Sequence, residues 1–413
     1  MKTRLSPSQT IVAVDVGTTK ICVLVGHRIN DKACDIIGIG RAPSTGLVRG
    51  VVVDVGPTVK SVKSAIQEAV LMAGCPIESV YVGISGAHIR AYQSSGMIPI
   101  KHGVVREPDL ARVLASACAI PLPDDEQILH SLPQQFVIDG KHSVRDPLQM
   151  HGIRLEARVN LITGNITQVK NLIQCCEASD VKVHDVVLEP IASADAVLSE
   201  DERDLGVALL DIGGGTSDFA IYQRGAIRHT KIFPIAGALF TNDVALCLRT
   251  TRDEAERIKR TFGFLQGHAF EGIPEFCSVH TIDGNGDLQV RIDDLSRVLT
   301  ARAEELLRVV AQEIDRFNLR PYMPAGFVLT GGGALMRGLA PYVEKIVGVP
   351  TRVGIPKTLS VYDLELQSPM YATAYGLLLY AMKQESDMRR LRDSASLPSR
   401  LFWKMKSWIA DFF

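Results

Sequence analysis

Two short stretches of the chain repeat one plan of apolar and polar positions. The apolar run Ile11–Val14 ends in Asp15, passes through Gly17-Thr18-Thr19-Lys20, and resumes as Ile21–Val25. Val207–Leu210 ends in Asp211, passes through Gly213-Gly214-Gly215-Thr216, and resumes as Ser217–Tyr222. Continuous apolar runs bounded by Asp and Gly read as buried strands, so each stretch predicts a strand, a turn and a second strand. Two such units predict two related lobes, each opening with a hairpin. Helical periodicity follows at 57–73 after the first, and at 252–262 and 295–317 after the second. A third unit, Gly326–Lys345, reads as strand, Gly331-Gly332-Gly333, then a helix starting at the glycines.

The stretch 85–163 lacks these signatures. It alternates β-like runs (96–100, 134–138, 154–162) with a helix near 109–119, and so predicts an inserted α+β module with its own sheet. The expected organisation is α/β and two-lobed. Segments 1–84 and 164–198 form the first lobe, 199–242 and 321–383 the second, and 243–320 a smaller subdomain of the second. After Lys383 the chain turns charged and serine-bearing, so 384–398 reads as a flexible linker before a separate segment at 399–413. Asp283, Asn285 and Asp287 begin a calcium-loop pattern, but Leu288 stands where that loop needs glycine. The flanking runs make it a hairpin turn instead.

Length and charge then narrow the classes. The 413 residues suffice for two or three domains with proper cores. With 45 basic and 46 acidic side chains there is no global attraction to nucleic acid, and no nucleic-acid partner is expected. No run approaches the about 20 apolar residues of a membrane span, and the polar Met1–Thr10 does not read as a secretory signal. Eight cysteines without a CxxC pair read as reduced thiols of a cytoplasmic protein.

The turns suit phosphate chemistry. Backbone N–H groups of glycine approach phosphate oxygens closely because no Cβ intervenes. Gly17, Thr18 and Thr19, with Lys20 as a point charge, and Gly213, Gly214, Gly215 and Thr216 form two such turns. Asp15 and Asp211 at the preceding strand ends could hold magnesium through water. One such turn alone reads as a plain hairpin; two facing each other would clamp a phosphate tail. Gly331, Gly332 and Gly333 would let backbone pass close to a base or ribose, with close strand–helix packing as the competing reading. Glu256 and Lys259 share a helix face at i,i+3 and would flank an adenosine, or form a solvent-exposed ion pair.

These residues resemble the actin-like ATPase superfamily. Four stretches, LLDIGGGTSDFAIY at 209–222, RHTKIFPIAG at 228–237, VLTGGGALMRGL at 328–339 and YATAYGLLLY at 371–380, resemble the FtsA family of bacterial cell-division proteins, in order and over nearly the whole chain. The resemblance implies an actin-like fold that binds ATP and Mg2+, with at most slow turnover. Asp15 and Asp211 take the magnesium side, the two turns the phosphates, and Glu256, Lys259 and Gly331–Gly333 the adenosine. Glu189, before Pro190, resembles the acid that positions the attacking water in chaperone relatives; a helix-start acid favoured by the dipole is its competing reading. The family also implies self-association, recruitment of later division proteins through the insert, and binding of the FtsZ C-terminal tail. The smaller subdomain, 243–320, is where that tail is expected, with Arg297, Arg302 and Arg308 along one helix suited to an acidic, apolar peptide. Arg302 matches a basic position of the family.

Both tryptophans of the chain fall in the last segment. Leu401, Phe402, Met405, Trp408, Ile409 and Phe412 recur on one broad helical face, with Trp403 at its edge and Phe413 at its end. Arg400, Lys404 and Lys406 flank that face. This pattern predicts an amphipathic C-terminal helix lying on anionic membrane lipid, rather than one docked on the protein's own core. The family has such a helix, which places the chain on the cytoplasmic face of the inner membrane at the division site. Competing functions are a pilus-assembly scaffold resembling PilM, which should lack the tail, and a small-molecule kinase of the same superfamily, for which no acceptor-activating motif stands out.

Overall fold

The first repeated unit folds as β1 (Thr10–Val16) and β2 (Lys20–Arg28), paired antiparallel with Asp15 opposite Cys22. The computed structural model describes residues 10–30, 34–266, 274–282, 287–357 and 366–393. β3 (Cys34–Pro43), the small β4–β5 hairpin (Leu47–Val48, Val51–Val52), α1 (Val55–Ala73) and β6 (Ser79–Ile84) complete the outgoing half of this lobe. Asp54 caps α1 by accepting the Gly56 N–H, and left-handed Gly74 ends it.

The chain then departs into the insert: β7 (Arg90–Pro99), α2 (Glu107–Cys118), β8 (Glu126–Ile138), β9 (His142–Val144) and β10 (Arg154–Asn165). Its sheet runs β7-β10-β8-β9, and α2 closes a core of its own around Leu155, Ala157 and Val113. The chain returns through α3 (Ile166–Glu177), β11 (Lys182–Leu188) and α4 (Glu189–Val197), giving a first-lobe sheet of order β11-β6-β1-β2-β3.

After α5 (Glu200–Leu205), the second lobe repeats the plan with β12 (Val207–Ile212), β13 (Ser217–Gln223) and β14 (Ala226–Phe233). Next come α6 (Gly237–Leu248), α7 (Arg252–Phe262), β15 (Phe276–His280), β16 (Asp287–Arg291) and α8 (Ile292–Arg316). β17 (Phe327–Thr330), α9 (Leu339–Val347), β18 (Thr351–Val353) and α10 (Ala372–Asp393) follow. The sheet order is β14-β13-β12-β17-β18. Every residue of β12 is buried, because helices or the other lobe cover both faces of this central strand.

Between the lobes lie α4 and α10. One apolar cluster joins Ala13 and Leu24 of the first sheet, Leu209 and Ala220 of the second, and Ala192, Leu377 and Leu378 of these helices. Gly376 allows their close crossing, since a Cβ there would fall 1.7 Å from the Ala192 carbonyl oxygen.

The structure differs from the sequence pattern at two places. Helix α9 starts at Leu339, behind left-handed Gly338; at the triple glycine there is only a 3-10 turn, Gly332–Leu335. Gly331 has φ +80, which suits glycine but not a regular helix start. Residues 384–393 are the end of α10, not linker: Arg28 pairs with Glu385 at 3.2 Å, Gln384 Nε2 donates to the Tyr380 hydroxyl, and Ser386 is buried. Composition points to solvent, but Glu385 and Ser386 pack back against the fold. The remainder of the linker and the whole amphipathic segment, 399–413, lie outside the described residues. The calcium-like stretch joins β15 to β16, an antiparallel hairpin, as the flanking runs predict.

Candidate functional site

The two hairpin turns have the same internal bond. Gly17 N–H donates to the Lys20 carbonyl at 3.1 Å, and Gly213 N–H to the Thr216 carbonyl at 2.9 Å. They face each other across the cleft, so closely that a Cβ on Gly214 would lie 2.4 Å from Thr19 Cγ2, and one on Gly215 would lie 2.3 Å from Thr18 Oγ1. Only glycine fits there. Thr18 Oγ1 also accepts the Gly50 N–H at 3.0 Å, which ties the β4–β5 hairpin to the first turn.

A cavity of about 140 Å3 opens between the turns, lined by Asp15, Gly17, Thr18, Thr19, Lys20, Gly213, Gly214, Gly215, Thr216, Asp211, Glu189, Gly331 and Gly332. Gly332 has open space where a Cβ would stand, whereas Gly331 and Gly333 press on Asp211 and Ile212. Gly331 and Gly333 thus fit the close-packing reading, while Gly332 lies on the cleft wall.

Three buried carboxyls, Asp15, Asp211 and Asp218, converge here with the half-buried Glu189. Burial pushes Asp15 up to about 6, against the pull of Lys20. Burial, with Asp15 nearby, raises Asp211 to about 6, while the Thr373 hydroxyl, donating to Asp211 Oδ2 at 3.0 Å, opposes the rise. Asp218 reaches about 8, from burial first and then the Asp211 charge. Glu189 at the start of α4 is also held well above the usual carboxylate range by burial and by the charges of Asp218, Asp15 and Asp211. Lys20 brings positive charge to this cluster; its Nζ donates to the Met370 carbonyl at 3.1 Å and stands 4.2 Å above the Tyr371 ring.

Asp218 was not among the candidates from sequence. Hairpin register is the signal for it, because Asp218 sits directly opposite Asp211 on the paired strand. Like charges in directly opposed positions destabilise a sheet, so such a pair points to a functional demand.

Glu256 and Lys259 lie on α7 and bond to each other at 2.6 Å. They are not a free surface pair. Lys259 Nζ donates to the Gly237 carbonyl at 3.2 Å and to Thr241 Oγ1 at 2.8 Å, and Thr241 donates to Glu256. Gly237 N–H in turn donates to the Gly213 carbonyl at 3.0 Å, so this network reaches the second phosphate turn. The Thr251 hydroxyl caps α7 by accepting the Glu254 N–H, which fixes the face that these two side chains present.

Arg302 lies elsewhere, in a groove of about 680 Å3 between α6 and α8 with Leu246, Cys247, Val298 and Ala301 as its apolar wall. Its guanidinium grips Asp243 through two bonds of 2.5 and 2.8 Å and also meets Glu305, and Arg297 pairs with Asp294. Two of the three arginines expected to suit an acidic peptide, Arg297 and Arg302, are thus paired within the chain, while Arg308 is exposed.

A family model described as Cell division protein FtsA matches residues 208–376, and one described as SHS2 domain inserted in FTSA matches 86–163. The Cell division protein FtsA of Pseudomonas aeruginosa is 40% identical over 409 residues, covering 98% of each chain. The chain belongs to the FtsA family. Its relative in Escherichia coli K12 is 36% identical over 406 residues, covering 97% of this chain and 95% of that one. Membership makes this FtsA-family chain a cell-division protein. Solved structures agree on the actin-like fold. A chain of the PilM-PilN type IV pilus biogenesis complex superposes with TM-score 0.65 at 17% identity, covering 90% of this chain and 98% of its own. MreB5 of Spiroplasma citri bound to ADP gives 0.58 at 15%, covering 92% and 99%.

Proposed function

We propose that this FtsA-family protein binds Mg2+·ATP between its lobes, self-associates, and tethers the FtsZ ring to the cytoplasmic face of the inner membrane. The observation that carries the nucleotide reading is the meeting of two matched glycine turns over a nest of buried acids. Glycine N–H groups, Lys20 and the hydroxyls of Thr18, Thr19 and Thr216 would receive the phosphates. Magnesium would supply the charge that relieves Asp15 and Asp211. A magnesium ion beside these acids would keep several waters and share its remaining ligands with phosphate. Glu256 and Lys259 would border the nucleoside, and Glu189, lining the cleft at the start of α4, would orient a water.

Membrane attachment falls to the segment 399–413; among the described residues no helix is long and apolar enough to cross a membrane. One short interfacial helix binds weakly, and self-association multiplies it through effective concentration by about 10² or more. The α6–α8 groove around Arg302 is the proposed seat of the FtsZ tail, and the insert that of later division proteins.

Co-sedimentation with anionic liposomes and FtsZ, with and without Mg·ATP, tests this reading. Full-length protein should carry FtsZ to the lipid, more so with ATP, and a truncation after Pro398 should not. Equal lipid binding by Asp211→Ala, with nucleotide binding abolished, would sink the link between ATP and attachment.

A further inference from the structure

Ser85 is where the chain leaves β6 for the insert, and it is only 3% exposed. Its Oγ lies 2.6 Å from Asp218 Oδ1 and 3.3 Å from Thr216 Oγ1, both on the opposite lobe. A serine hydroxyl has one proton to give, and the shorter distance assigns it to Asp218. Thr216 lines the cleft. A phosphate oxygen that took the Thr216 proton would leave Thr216 an acceptor facing Ser85, and would draw the serine toward it.

The insert is fastened to both lobes at further points. His130 Nε2, on β8, accepts the N–H of Leu188 at 3.0 Å, and Leu188 immediately precedes Glu189. Gln134 Nε2 donates to the Ile227 carbonyl on β14 at 2.5 Å, and Arg145 faces Asp204 at 3.7 Å. Ile162 of the insert, Leu188 of the first lobe and Ile232 of the second share one buried seam. Rotation of one lobe against the other must break these contacts or carry the insert along.

We propose that Ser85 is a positioning residue through which occupancy of the phosphate site sets how the insert sits on the second lobe. This rests on the nucleotide reading of the cleft. The insert would then present its outer surface to a partner in two stances, one for each state of the site.

Amide hydrogen exchange of the full-length protein tests it, with and without Mg·ATP at concentrations that a fluorescent-nucleotide titration shows to saturate each variant. Mg·ATP should change exchange at least twofold in β8 and β14 of the parent. Ser85→Ala should lose most of that change, and Ser85→Thr, which keeps the hydroxyl, should restore it. Gln134→Ala, remote from the cleft, should bind nucleotide as the parent does yet lose the change in β14. The proposal is overturned if Ser85→Ala responds like the parent, or if the parent binds nucleotide with no change in either strand. Should Ser85→Ala fail to fold, a full parental response from Gln134→Ala overturns it just as well. A parent that binds no nucleotide in the titration removes the cleft reading itself, and this proposal with it.

Discussion

Thr19 and Gly214 meet across the cleft: a Cβ on the glycine would stand 2.4 Å from the threonine's Cγ2. The two lobes therefore touch at the residues proposed to hold phosphate, and side-chain volume at that point competes with cleft geometry.

Gly214→Ala should consequently weaken Mg·ATP binding by roughly tenfold, from about 1–3 kcal/mol of overpacking. A fluorescent-nucleotide titration reads this directly. Unchanged affinity would show that the turns do not frame the phosphate site.

Stability of the nucleotide-free protein should fall as pH rises. Asp15 and Asp211 titrate near 6 and Asp218 near 8 in the folded chain, against 3.8 for an ordinary aspartate. The folded state thus holds more protons than the unfolded one between about pH 4 and 8, and stability declines across that window. Asp218→Asn removes part of the penalty. Its melting temperature should exceed the parent's by a few degrees at pH 8 and match it near pH 4. Thermal scans in EDTA at both pH values check the sign, and a variant melting below the parent at pH 8 refutes the assignment.

Gly376→Ala weighs two opposed effects. Alanine in a helix interior gains up to about 1 kcal/mol over glycine. Its Cβ would fall 1.7 Å from the Ala192 carbonyl, however, where backbone rather than a flexible side chain must move. Overpacking should win by about 2 kcal/mol or more, lowering the urea midpoint. A midpoint at or above the parent's would mean that α4 and α10 separate freely.

Arg302→Glu should lower affinity for an FtsZ tail peptide at least tenfold, because it reverses charge in the groove and frees Asp243. Leu246→Glu, at a side chain 70% exposed on the groove wall, perturbs folding less and should weaken the same binding. Calorimetry on both variants decides the site; parental affinity in both would move the FtsZ surface elsewhere.

Local signals proved readable wherever the interaction that fixes an element lies within a few residues. The helix 252–262 was bounded by Thr251 and Gly263, and its cap is a bond three residues long. The hairpins 11–25 and 207–222 followed from apolar runs broken by glycine. The start of α9 did not, since Gly331 and Gly333 are selected by Asp211 and Ile212 on a neighbouring strand rather than by a helix beginning. The polarity of 384–393 signals solvent, whereas the helix continues there and Glu385 meets Arg28, far away in sequence.

The sequence by itself determined the strands, their turns, the family and which residue types could meet phosphate, because each depends on short-range pattern. The tertiary structure alone decided what those residues do to one another. Ser85 and Asp218, 133 residues apart, are brought within 2.6 Å, and Asp15, Asp211, Asp218 and Glu189 meet in one cleft because two sheets close on α4 and α10. Burial and proximity set their proton affinities, and neither has a trace in the order of the letters.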